Sequence, residues 1–363
     1  MFGKKKSKTL VITGTNAKSS VARIITFLLE HQGLVVNTIE NKQRKADIDV
    51  LTLSPEKITE FLGKNNTIDF LVVTNIAWTN DNHYLTLDET ADQISQLVKV
   101  TKDTVILYRD DERIYRLGES KDKKANVLYF GIDDKLRKNF LNDDEYFTDR
   151  KLDEFDTEPV LDTWVKKISY IPNNEVVLMD FSMMSLGGEY GQGSCTAVYS
   201  VNGFKQWINL SSDKLEYAFN IAPAIAVVRA VLKNDLQGQE LSLSVTQYRP
   251  QLDLDEVFEI SNSTSLRVAL NGQKNIPTMF VVQDSDDLKY FWTTNFKKKI
   301  DIITGNQAYD LAVRLFYSFS PYGKIEPDID LALEMFNKLS NREKQIFATP
   351  KGIDELNKRG KNG

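Results

Sequence analysis

The sequence predicts an α/β protein: a first domain built on a largely parallel sheet, then a smaller second α/β domain. Three observations carry this expectation. Short β-branched runs alternate with helical periodicity through the first half, the pattern of strands joined by crossover helices. The run "TLVITG" at residues 9–14 ends in a small-residue turn and opens at once into a helical pattern. After a polar, Gly-containing break at "KNDLQGQE" (233–240), the alternation resumes.

Each element has its own signal. "TLVITG" reads as a buried strand, and residues 18–31 as a helix whose apolar positions Val21, Ile24, Ile25 and Leu28 fall on one face. "DFLVVTNI" (69–76) is a second core strand, followed by a helix over 88–100. "TVILY" (104–108) and "NVLYFG" (126–131) are two more strands. Residues 133–163 are acidic and weakly periodic, and read as an insertion. Strands resume with "EVVLMDF" and "CTAVYSV", and a helix runs over 213–232. The expected domains are 1–234 and 235–363. The second runs through "SLRVAL", "TMFVVQD" and "IDIITG", with helices over 306–318 and 328–339. No internal repeat is visible.

Composition narrows the class. The chain has 363 residues, 41% apolar and 27% charged, as in a globular protein with room for two cores. A net charge of −5 argues against a nucleic-acid footprint. The basic run "KKKSK" reads as a solvated terminus. The most apolar stretch, "FNIAPAIAVVRAVL", is interrupted by Pro223 and Arg229 and reads as a buried helix rather than a membrane span. "MFGKKKSK" leads into a strand rather than an apolar signal segment, so a cytoplasmic protein is expected. The single cysteine, Cys195, cannot form an intramolecular disulfide or a multi-Cys zinc site.

The chemistry-bearing motif is "GTNAKSS", residues 14–20. A strand, a small-residue turn, then Lys and a hydroxyl opening a helix is the layout of a phosphate site. Backbone N–H groups and the helix N-terminus face the anion, Lys18 adds a charge, and a hydroxyl holds magnesium. Gly14, Thr15, Asn16, Ala17, Lys18, Ser19 and Ser20 are the candidate nucleotide-binding residues. Without other context the same residues also suit an ordinary strand–turn–helix corner.

"TGTNAKSS" is similar to the TGTNGKT-type loop of the Mur ligases. "VVTNIAWTNDNHYLTLDETADQI", "VILYRDDERI" with "VLYFG", and "EYAFNIAPAIAVVRAV" resemble further segments of that family's central domain. "QDSDDLKYFWTTNFKKKIDIITGNQAYDLAVRLFYSF" and the ending "EKQIFATPKGIDELNKR" resemble the C-terminal domain of MurT, the ligase-like subunit of lipid II isoglutaminyl synthase. The resemblance spans nearly the whole chain. It implies a P-loop-like central domain with a parallel sheet and a smaller C-terminal α/β domain. It also implies ATP-dependent amidation of D-glutamate in a peptidoglycan lipid precursor, with ammonia from a GatD-type glutaminase partner. By the same resemblance Asn220 is a nucleotide-binding residue, Ser19 and Glu56 are metal-binding candidates, and Asp287, with Asp286 behind it, completes the partner's Cys–His pair. A capping carboxylate in a first helical turn is the alternative reading of Asp287.

The sequence also departs from that family. Ala17 replaces the loop Gly, which costs about 1–2 kcal/mol if the position needs positive φ. Trp78 and Thr79 stand where the family has Arg and Asp, with Asp81 the nearest carboxylate. His83 reads as an exposed loop residue. "LTLSPEKI" leaves only Glu56 of an acidic stretch that faces the γ-phosphate. "DLDE" (Asp253 to Glu256) replaces a turn whose Arg reaches ATP, and one cysteine cannot build the family's zinc ribbon. Two functions follow as expectations: a divergent ligase subunit, or a degenerate pseudoenzyme that binds or scaffolds. An unrelated P-loop-like α/β protein is a third.

Overall fold

β1 (Lys8–Thr13) organises the first sheet. Its last four residues are buried, with strands hydrogen-bonded on both sides. In the computed structural model the described residues are 7–38, 45–77, 86–121, 124–137, 175–184, 194–210, 215–233, 255–260, 266, 270, 276–291, 298–339 and 344–360. Trp78, Thr79, Asp81, His83, Asp253, most of the 133–163 segment and the stretch 234–240 lie outside them.

After β1 come α1 (Lys18–His31), β2 (Val36–Asn37), β3 (Ile48–Leu53), α2 (Ile58–Lys64), β4 (Ile68–Val73), α3 (Leu87–Val100) and β5 (Thr101–Tyr108). Then follow α4 (Glu112–Leu117), β6 (Asn126–Ile132), α5 (Asp134–Arg137), β7 (Glu175–Met184), β8 (Ser194–Val201), β9 (Phe204–Leu210) and α6 (Leu215–Leu232). The strand order is β2-β3-β1-β4-β5-β6-β7-β8-β9. Neighbours are parallel from β2 through β7, and β7, β8 and β9 form an antiparallel wing.

Local chemistry explains several boundaries. α1 buries Val21, Ile24, Ile25, Leu28 and Leu29, the 3.6-residue stripe expected of a helix lying on a sheet. α3 starts with a reciprocal capping box: the Thr86 hydroxyl accepts from the Glu89 N–H, and the Glu89 carboxylate accepts from the Thr86 N–H. Asp111 caps α4 with its side chain alone, accepting from the Arg113 and Ile114 amides. α6 is apolar nearly all round because it is covered nearly all round, by α1 on one side and β5–β7 on the other. Its length and hydropathy would suit a membrane span, yet most of it is buried in this core.

The second sheet is smaller and wholly parallel, in the order β10-β14-β11-β12-β13. Its strands are β10 (Asp255–Glu259), β11 (Thr278–Val281), β12 (Ile300–Thr304), β13 (Tyr322–Ile325) and β14 (Lys344–Ala348). One face packs against a 3₁₀ helix (Ser285–Phe291) and α7 (Ala308–Tyr317). The other packs against α8 (Ile329–Asn337) and α9 (Pro350–Gly360).

The predicted α/β class holds, and the strands and helices quoted for the first half fall within a few residues of their expected ends. The sequence reading missed β2, β3, β9, β10 and β13. Asp255 and Glu256, expected in a turn, begin β10 instead. "SLRVAL", expected as a strand, is helical at its described residues Leu266 and Leu270, both buried in the core beside Phe280. The spacing explains the error: apolar residues four apart suit a helix as well as a strand face, and short runs do not separate the two.

One buried charged network ties β5, β6 and β7 together. Arg109 donates from Nη1 to Glu175 (2.8 Å), from Nε to Asp110 (3.2 Å) and from Nη2 to the Ile132 carbonyl (3.0 Å). Asp110 accepts from the Ile132 amide at 2.7 Å. Burial pushes the Asp110 carboxyl up, against the pull of Arg109. Removing one partner strands a charge in a nearly dry site. Glu175→Ala is therefore expected to lower unfolding stability by about 3–5 kcal/mol in urea titrations.

Candidate functional site

The β1–α1 loop lies at the carboxyl end of β1, between β3 and β4. The chain leaves β1 toward β3 and later crosses back to β4, so this is where the strand order reverses. In parallel α/β sheets such a point opens a crevice. The loop is built from two left-handed positions. Gly14 has φ 127°, and a Cβ there would meet the Thr74 Oγ1 at 2.3 Å and the Asn75 carbonyl at 2.7 Å. Only glycine fits that approach. Ala17, the residue before α1, has φ 63° and ψ 3°. The position does require positive φ, and alanine occupies it at a cost of about 1–2 kcal/mol.

The exit of β4 holds the loop in place. The Thr74 amide donates to the Thr13 carbonyl (2.9 Å), and the Thr74 hydroxyl donates to the Asn16 carbonyl (2.7 Å). The Thr15 amide donates to the Asn75 carbonyl (2.9 Å), and the Asn16 amide to the Asn75 side-chain oxygen (2.8 Å). The Thr15 hydroxyl exchanges hydrogen bonds with the Ala77 backbone at 3.0 and 3.2 Å. Thr74, Asn75 and Ala77 were not picked out from the sequence as site residues. Their signal was the polar Thr-Asn pair ending an otherwise apolar strand, "FLVVTN".

Lys18 turns back over this loop. Its ammonium donates to the Gly14 carbonyl (2.7 Å) and the Thr15 carbonyl (2.8 Å). Burial lowers its pKa, and the Glu56 carboxylate opposes that shift. Glu56 lies in the short 3₁₀ turn after β3 (Pro55–Lys57), so β3 supplies the carboxylate nearest to Lys18 in effect. Ser19 and Ser20 are exposed on the first turn of α1, which carries no acidic residue and no side-chain cap. Uncapped N–H groups, a half-buried ammonium and two hydroxyls make a concave cationic end suited to a phosphate. Among the described residues no group of three or more His, Cys, Asp or Glu could by itself hold a metal ion. Ser19 with Glu56 offers a hydroxyl and a carboxylate, hard oxygen donors of the kind magnesium takes beside a nucleotide's own phosphates.

The other expected site residues lie elsewhere. Asn220 is buried within α6, which packs on α1. The neighbouring Phe219 ring packs against Tyr108 and Phe130, at the ends of β5 and β6. Asp287 belongs to the second sheet. It follows β11, whose neighbour β14 ends at Ala348, just before Thr349, and the strand order reverses between these two strands. The capping role belongs to a different carboxylate. Asp284 accepts from the Asp286 amide (3.0 Å) and pairs with Lys351. Asp287 is buried, and its Oδ2 has no hydrogen-bonding partner among the described residues. Burial raises its pKa, the Thr349 hydroxyl lowers it, and the Asp284 charge raises it again.

No family model and no curated protein sequence matches the chain. Solved structures do. MurF from Acinetobacter baumannii aligns with a TM-score of 0.66 at 11% identity, covering 99% of this chain and 77% of that one. MurF ligase from Thermotoga maritima, solved in complex with ADP, aligns with a TM-score of 0.63 at 12% identity, covering 95% and 76%. Mycobacterium tuberculosis folylpolyglutamate synthase, solved with ADP and AMPPCP, aligns with a TM-score of 0.58 at 13% identity, covering 95% and 89%. Over nearly its whole length, the chain has the fold of the Mur-type ligases.

Proposed function

We propose that this chain is a divergent MurT-like ligase subunit. It uses ATP and magnesium to amidate the D-glutamate of a lipid II-type peptidoglycan precursor, with ammonia from a GatD-like glutaminase. The observation that carries the reading is the β1–α1 loop. Both left-handed positions are kept, the β4 exit holds the loop rigid, and Lys18 faces it with Glu56 nearby. ADP in the T. maritima MurF complex supports nucleotide binding by this fold.

The chemistry follows from those parts. A substrate carboxylate oxygen attacks the γ-phosphorus and ADP leaves, giving an acyl phosphate. Ammonia attacks the acyl carbon, phosphate leaves, and the amine loses a proton. Lys18 and the first-turn amides of α1 would hold the transferring phosphoryl group and its developing charge. Ser19 and Glu56 would face the magnesium, which neutralises charge on the phosphates. Asp287 would be the carboxylate that accepts an N–H from the glutaminase histidine; its buried Oδ2, without a hydrogen-bonding partner among the described residues, supports that role.

One observation favours a second reading, a pseudoenzyme that binds or scaffolds. The Lys18 ammonium is already satisfied by two carbonyls of its own loop, and a phosphate must displace it from at least one.

Calorimetry with magnesium-ATP separates the two. The ligase reading expects measurable binding that falls about 10- to 100-fold in Lys18→Ala, the loss of one or two charge-assisted hydrogen bonds. No binding by the wild type, or equal binding by the variant, would overturn it. Ala17→Gly should raise unfolding stability by about 1 kcal/mol in urea, since the left-handed strain outweighs glycine's extra chain entropy.

Asp287 gives a pH test. Its carboxyl is raised in the folded state, so the native chain holds that proton longer than the unfolded chain. Its contribution to stability is complete below the unfolded value of about 3.9 and falls as pH rises through the folded value. Asp287→Asn should therefore match or exceed wild-type stability at neutral pH while ammonia production by the complex drops. A stability loss with unchanged glutaminase activity would assign Asp287 to the fold alone.

A further inference from the structure

α7 carries a row of large apolar side chains on its solvent side. Tyr309 is 62% exposed, Val313 54%, Phe316 66% and Tyr317 76%. Phe319, just past the helix, is 88% exposed. Residues 309, 313 and 317 are spaced by four and form one ridge, with Phe316 beside it at the i+7 position. The opposite side of the helix buries Ala308, Leu311, Ala312 and Leu315 against the second sheet. The helix is therefore apolar on both sides, and its core needs only one of them.

The outer row is held in shape. The Phe316 and Tyr317 rings meet edge to face, with centroids 5.7 Å apart. Phe319 sits at φ 55°, a left-handed position that an aromatic residue adopts only at a cost. The amide of Phe319 donates to the Phe316 carbonyl (3.1 Å), and that of Ser320 to the Leu315 carbonyl (2.9 Å). This turn leaves Phe319 facing outward instead of folding it over the core. Scattered exposed apolar residues need no explanation, but five in one contiguous row do.

We propose that this ridge is a homodimer interface, covered by α7 of a second copy of this chain across a two-fold axis. The area agrees. At the exposures above, the five side chains present on the order of 600 Å² per copy, or roughly 1,200 Å² for the pair, the lower bound of stable specific interfaces. The charges agree as well. The ridge itself carries none, so two copies meet without repulsion. Asp310 and Arg314 flank it one turn apart with opposite sign, Arg314 being part-buried and donating from Nη1 to the Leu288 carbonyl (3.0 Å), and antiparallel pairing about the middle of α7 brings each acid to the side of the other copy that carries this base. A ridge spaced by four also packs against its own copy in the commonest helix-crossing geometry. The proposal does not depend on the ligase reading.

The test is the mass of the full-length chain by light scattering and sedimentation equilibrium, up to roughly 100 µM, a range that captures micromolar association. The expected result is a concentration-dependent dimer that Phe316→Glu and Tyr317→Glu each shift to monomer, with unchanged far-UV circular dichroism. Asp310→Lys should weaken it about 5-fold or more, and less so at high salt. A wild-type monomer throughout the range would overturn the proposal, as would dimers unaffected by the glutamate variants. A wild-type monomer that joins a glutaminase subunit through this ridge would assign the surface to that partner and equally overturn it.

Discussion

The first sheet and its site both depend on the contact between the β1–α1 loop and the exit of β4. Gly14 lets the loop backbone approach Thr74 and Asn75 more closely than any side chain allows. That approach brings the loop amides onto the Asn75 oxygens and the Thr74 hydroxyl onto the Asn16 carbonyl. Once the loop is pinned there, the start of α1, which carries no side-chain cap, is fixed in direction beside the ends of β1 and β4. A single residue with the wrong backbone preference would move the helix axis and the anion site together.

Two separate positions, one beside each sheet, retain features that cost stability. Ala17 holds a left-handed conformation that glycine would adopt without penalty. Asp287 keeps a buried carboxylate oxygen without a hydrogen bond from any described residue. Such features oppose stability, and a chain under selection for stability alone loses them. The Arg109–Asp110–Glu175 network differs in kind. Its charges are buried too, but Arg109 bonds to both carboxylates and the Ile132 carbonyl, and Asp110 also accepts from the Ile132 amide, so the network ties the β5–β6–β7 junction together.

Legibility in the sequence followed signal length. α1 and α3 carry two or more turns of periodic apolar residues, and α3 adds a capping box, so both were readable. β4, β5 and β6 are continuous apolar runs flanked by polar turns. β10 and β13 are short, with charged or glycine residues among few apolar ones, and their strand character comes from pairing with β14 and β12. "SLRVAL" was ambiguous because apolar residues four apart satisfy both periodicities. Of the candidate site, "GTNAKSS" was visible because a strand–turn–helix corner is a local structure. Its β4 support was not, since Thr74 and Asn75 lie about sixty residues away and only strand pairing brings them adjacent.

By itself the sequence determined the α/β class, the order of the main elements, the strand–turn–helix motif at residues 14–20, and the exclusion of a multi-Cys metal site. Those properties reside in periodicity, composition and one local motif. Only the tertiary structure decided that Ala17 is left-handed, that Lys18 folds back onto its own loop, that Asp284 rather than Asp287 is the cap, and that α7 exposes an aromatic ridge. Each of these depends on which distant backbone lies within hydrogen-bonding or van der Waals reach. Sheet order sets that reach, and spacing along the chain does not encode it.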